Sequence, residues 1–175
     1  MATLPLPARG SSRLTVLHLI FNVRPASLPT DLALVAARTA LAWIFIYYGA
    51  GKLFGAFNGP GIHGTTLYMA NVADLHPGGF WAVLGGLTEF GGGIAMALGL
   101  ATRLAGVGLF VDMVMAMITV TWRTGINSSI HPPGYQLNIA LGVLALVIAL
   151  LGAGRVSLDA LIDRALAARD IQTSP

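Results

Sequence analysis

Residues 80–122 read FWAVLGGLTEFGGGIAMALGLATRLAGVGLFVDMVMAMITVTW. They form two apolar runs, residues 80–100 and 104–122, joined at Ala101, Thr102 and Arg103. An α-helix needs roughly 20 mostly apolar residues to cross the hydrocarbon core of a bilayer, and each run meets that length. A link this short forces the two helices into an antiparallel hairpin. Two further runs, residues 32–51 and 135–153, have the same character. The expected fold is all-α: a four-helix transmembrane bundle with a short C-terminal amphipathic surface helix.

The rest of the chain agrees with that class. Of the 175 residues, 55% are hydrophobic and 10% are charged, and the mean hydropathy is +0.76. Soluble domains carry about 25% charged residues, so the composition argues against a water-soluble globular enzyme. Abundant apolar residues exclude disorder. The chain has no Cys, which rules out disulfides, thiolate zinc sites and Cys-ligated iron–sulfur clusters. The net charge of +3 bears on topology rather than on nucleic-acid binding. Arg9, Arg13, Arg24, Arg103, Arg155, Arg164 and Arg169 fall on one side of a four-span chain, and only Lys52 and Arg123 on the other. That bias places both termini in the cytoplasm.

Three regions follow: a cytoplasmic arm at residues 1–30, a membrane domain at 31–155, and a cytoplasmic helix and tail at 156–175. The apolar run at residues 14–23 is too short to span. Arg24 follows it at once and no small-x-small cleavage site does, so a surface-lying arm is favoured over a signal peptide. Residues 157–170 suit a surface helix capped by Ser157, with Asp159 in its first turn. Leu158, Leu161, Ile162, Ala165 and Leu166 share one face of it, opposite Asp163 and Arg164.

Arg38, Glu89 and Asp112 lie inside the spans. A charge there costs ~3 kcal/mol on insertion scales, so the three are expected to face one another or a wet cavity. Helical spacing puts Arg38, Ala42, Phe45, Gly49 and Lys52 on one stripe of the first span. Glu89 lies among Ala82, Gly85, Gly86, Gly92, Gly93 and Met96. Asp112 lies among Ala105, Gly108, Met115, Ala116 and Thr119, and Asn138 among Gly142, Ala145, Ala149 and Gly152. Small residues let membrane helices approach closely, so these polar stripes are expected to be the packed ones. Glu89 is then either an ion pair with Arg38 that sets helix register or a proton-relay group. Asp112 has no basic residue at its depth and reads as functional, while Lys52 can snorkel at the end of its span.

No His lies deep in a span, which argues against a haem held by two axial His. His63, Asp74, His76 and His131 all fall on the outer side but lack metal-ligand spacing, so no metal site is assigned. Tyr47, Tyr48, Phe80, Trp81, Trp122 and Tyr135 sit at outer span ends. They form either an interfacial belt or an aromatic mouth for a quinone, with Lys52, Tyr48 and Trp81 as its candidate contacts. The run Gly91, Gly92, Gly93 is a close-packing or flexible point, since no strand precedes it and no Lys-Ser/Thr follows.

The chain resembles the DoxX family of small bacterial membrane proteins. Arg38 in the first span, then Tyr48-Gly49-Ala50-Gly51-Lys52-Leu53-Phe54-Gly55, carry the first part of the likeness. Gly59-Pro60-Gly61, Thr88-Glu89-Phe90-Gly91-Gly92, Leu98-Gly99-Leu100-Ala101-Thr102-Arg103-Leu104, Gly134-Tyr135 and Gly152-Ala153-Gly154-Arg155-Val156-Ser157-Leu158-Asp159-Ala160 continue it. Many relatives have His where Tyr48 stands and an acid near Gln136, and Asp112 stands where an apolar residue is expected. The family takes its name from a subunit of a thiosulfate:quinone oxidoreductase. The resemblance therefore implies a multi-pass bacterial plasma-membrane protein with Arg38, Lys52 and Glu89 as core polar residues.

The leading expectation is a haem-free membrane subunit or anchor of a redox-linked, quinone-associated complex. Glu89 and Asp112 would accept or relay protons, with Arg38 holding Glu89. Quinone is the only cofactor expected. The bilayer is the first partner, and a soluble oxidoreductase, another subunit or a second copy of the chain are the others. Any enzymatic part would be that of a quinone-handling subunit. A proton-coupled or small-solute transporter and a scaffold without chemistry are the competing readings.

Overall fold

The computed structural model describes residues 27–127, 129 and 133–173, with side chains as far as residue 168. These described residues are all-helical. The helices are α1 (Leu28–Phe54), α2 (Gly61–Asn71), α3 (Gly78–Leu98), α4 (Thr102–Ala116), α5 (Gln136–Leu151) and α6 (Leu158–Thr173). A 3-10 turn, Ala56–Asn58, precedes α2, and α4 continues through a π-helical turn, Met117–Thr121, into a 3-10 turn, Trp122–Thr124. The arm expected at residues 1–30 lies outside the described residues up to residue 26, and α1 begins at Leu28, before the expected boundary.

Among the described residues, three helices are long and apolar enough to cross a membrane: α1, α3, and α4 with its extension. The fourth expected span is shorter than the sequence implied. α5 has 16 residues and rises about 24 Å, against a core of about 30 Å. Gly152, at φ 89°, ends it in a conformation that a side chain would disfavour. Leu41 and Phe45 of α1, Met96 of α3, Leu109 of α4, and Ala145 and Ile148 of α5 meet in one core.

Glycine lets α1 and α3 lie almost backbone to backbone. A Cβ added at Gly49 would stand 2.8 Å from Phe90 Cα, and one at Gly93 would stand 2.9 Å from Ile46 N. On α1 and α3 the polar stripes are indeed the buried ones. On α4 they are not. The packed positions there are Thr102, Gly106, Leu109 and Met113, while Asp112 and its stripe are half-buried. α3 and α5 clasp α4 from the Leu109 side, leaving the Asp112 side facing a cavity. Of the three consecutive glycines, Gly93 meets α1, Gly92 meets Leu109 of α4, and Gly91 has no neighbour within 4 Å of an added Cβ.

Polar side chains gather at the end where α3 turns into α4. Arg38 donates to the carbonyls of Ala153 and, at 2.9 Å, Val156. Asp31 accepts from the Arg155 amide at 3.0 Å and from Arg155 Nε at 2.5 Å. Arg103 donates to the last carbonyls of α5, Ala149 and Leu150. Asp159 accepts from the amides of Ala101 at 2.7 Å and Thr102 at 2.9 Å, capping α4 from outside its own helix. That contact decides how α6 sits. Its inward positions are Asp159 and Ala160, and Leu158 and Leu161 of the apolar face are exposed.

Candidate membrane-embedded polar cavity

The other end of the molecule is built around Lys52. Lys52 lies in the last turn of α1, before Gly55 terminates the helix at φ 72°. Its carbonyl accepts a hydrogen bond at 3.0 Å from Thr65, a buried hydroxyl of α2 that also bonds Gly61 O at 2.8 Å. α2 is thereby latched onto the end of α1. The Lys52 ammonium points inward and meets Glu89 Oε1 at 2.6 Å. The Glu89 side chain is 4% exposed and that of Lys52 28%.

This corrects the pairing expected from sequence. Arg38 does not touch Glu89; it binds two backbone carbonyls at the far end. The antiparallel register of α1 and α3 is the reason. Gly49 lies against Phe90, and the Arg38 guanidinium lies against Gly99. Eleven residues separate Arg38 from Gly49, about 16 Å along a helix, so Glu89 stands beside the end of α1 that carries Lys52.

Asp112 approaches from α4. Its carboxylate meets α3 one helical turn from Glu89. An added Cβ on Gly85 would be 3.6 Å from Asp112 Oδ1. Asp112 Oδ2 and Glu89 Oε2 are both buried and have no hydrogen-bond partner among the described residues. Lys52 and Asp112 stand in the wall of a cavity of about 890 Å³ between α1, α2, α3 and α4. The rest of the wall is mainly apolar and aromatic, and includes Tyr48, Tyr68, Met69 and Trp81. Tyr47 stacks on Phe57 at 4.8 Å between ring centres, and both rings also line the cavity. The π-helical turn forms part of the wall through Thr119, Val120 and Thr121, a placement common for such turns at functional sites.

The structure thus brings Lys52, Tyr48, Trp81 and Asp112 to one cavity, sets Glu89 directly behind Lys52, and leaves Arg38 remote. Tyr135 lies elsewhere, stacked on Trp122 at 5.4 Å. His63 is exposed, and His76 and Asp74 are exposed and 3.7 Å apart. His18 and His131 lie outside the described residues. Sequence reasoning overlooked Thr65, Tyr68 and Asp31. Asp31 follows Pro29 in the first turn of a long apolar helix, a position where an acid is conspicuous. No comparable signal marks Thr65.

An inner membrane protein, YqjF, of Escherichia coli (strain K12) is 28% identical over 134 residues, covering 77% of this chain and 95% of that protein. No solved structure matches the chain. The DoxX family model matches residues 33–122, which include Lys52, Glu89 and Asp112. With that match over half its length and three helices apolar enough to span a bilayer, the chain is a membrane protein and belongs to the DoxX family.

Proposed function

We propose that the protein is a haem-free membrane subunit or anchor of a redox-linked complex, and that its cavity takes a quinone. The observation that carries this reading is the cavity of about 890 Å³ whose apolar walls close on Lys52 and Asp112. Small-molecule sites have this size and this balance of apolar surface to a few placed polar groups. Tyr48 and Trp81 put aromatic rings in the wall, against which a flat head group could pack. Lys52 and Asp112 would face its oxygen atoms, and Glu89 holds the ammonium in place. A bound quinone supplies two-electron chemistry with proton uptake, the electrons coming from a soluble oxidoreductase or another subunit. This chain's part is to bind, to exclude bulk water and to hand on protons at Asp112.

The same reading takes α5 as a fourth, short span in the plasma membrane, with both termini cytoplasmic. The seven-to-two bias in basic residues supports that orientation, and the likeness to an inner membrane protein supports the membrane setting. Solvent extraction of the purified protein tests the ligand. About one quinone per chain is expected, and Gly85→Leu, which projects into the cavity, should remove it. A chain that carries no quinone, and whose Trp fluorescence added quinone does not quench, would sink the proposal.

A further inference from the structure

Two acids face one base at the wall of the cavity. Lys52 neutralises Glu89 through Oε1, which leaves Asp112 without a counter-ion. Glu89 Oε2 and Asp112 Oδ2 are both buried without a donor among the described residues, and the Asp112 carboxylate reaches α3 at Gly85, one helical turn from Glu89. Among the described residues the surroundings offer no other charge. Glu89 is the only ionisable residue of α3, and α5 has none. On α4 the other charged residue is Arg103, bonded to carbonyls at the opposite end, as is Arg38 of α1. The remaining titratable groups at this cavity are the phenols of Tyr47, Tyr48 and Tyr68.

Two carboxylates that share a site cannot both ionise cheaply, and an uncompensated charge in a membrane interior is costly. We infer that Glu89 and Asp112 hold one exchangeable proton between them, and that Lys52 sets that number at one. The proton occupies the gap between Oε2 and Oδ2, giving both orphaned oxygens a partner and making the three-residue cluster neutral. It belongs to the pair rather than to either residue. Asp112 lies in the cavity wall, so the proton exchanges with the cavity. The inference stands whether or not the cavity takes a quinone.

Infrared spectroscopy of the full-length protein in detergent at neutral pH tests it, with Glu89→Gln and Asp112→Asn as isosteric variants. The wild type should show a carboxylic-acid carbonyl band of one group per chain that shifts on deuterium exchange. Either variant should abolish the band, because each leaves one acid against Lys52. Lys52→Met should double it. Absence of the band from the wild type overturns the inference without any variant. Survival of the band in either single variant overturns the sharing, and a band that appears only after sodium is removed would make the site one for a metal cation instead. Quinone content measured on the same samples reports on the proposed function separately.

Discussion

The Asp159 carboxylate accepts two amide protons at the start of α4, one of them from Ala101, a non-glycine residue at φ 45°. Left-handed backbone is unfavourable for alanine and persists only where the surroundings hold it. Asp159→Ala removes both acceptors and should lower stability by about 1–2 kcal/mol, the usual cost of a lost helix cap, read as a lower thermal midpoint in detergent. Distances within the ion pairs lead to a second expectation. Arg38 and Glu89 share no partner, so the destabilisations of Arg38→Met and Glu89→Gln should add within about 0.5 kcal/mol. Lys52→Met and Glu89→Gln should not add, because the two side chains touch at 2.6 Å. A double-mutant cycle by thermal unfolding measures both.

Helix contacts turn on particular glycines. Gly49 of α1 presses on the Phe90 backbone of α3, whereas Gly91, one residue further along α3, faces open space. Gly49→Ala should therefore cost about 1–3 kcal/mol through overpacking. Gly91→Ala should be neutral or stabilise by up to about 1 kcal/mol, through helix propensity alone. Thermal unfolding of the two variants side by side checks this. The sequence marks both positions as small residues in an apolar helix, and nothing in composition separates them. The stripe on α4 teaches the same lesson. Periodicity groups Gly108, Asp112, Met115 and Thr119 correctly on one face, but the helix has two faces that pattern alone leaves equivalent. The neighbours α3 and α5 pack on the Leu109 face and leave the other to the cavity.

Taken as one object, the molecule has two unlike ends. One is closed by Arg38, Asp31, Arg155, Arg103 and Asp159 through contacts that are mostly to backbone groups. The other holds α2, the aromatic rings and the cavity. With the four-span topology, a reporter fused after residue 175 and one inserted at Asp74 should fall on opposite sides of the membrane, the first in the cytoplasm. Protease or reporter-activity assays on intact cells decide it. Both reporters on one side would remove α5 as a span.

Much of this was readable from the chain alone. Long apolar runs must bury or satisfy every backbone group, so their helical state and membrane setting follow from composition and length. The antiparallel hairpin follows from a link too short for anything else. Glu89 and Asp112 stand out because charge is costly in such a run. Which base answers Glu89, which face of α4 packs, and which helix Asp159 caps depend instead on register between segments far apart in sequence. Glycine contacts a few ångströms wide set that register, and no local pattern encodes it.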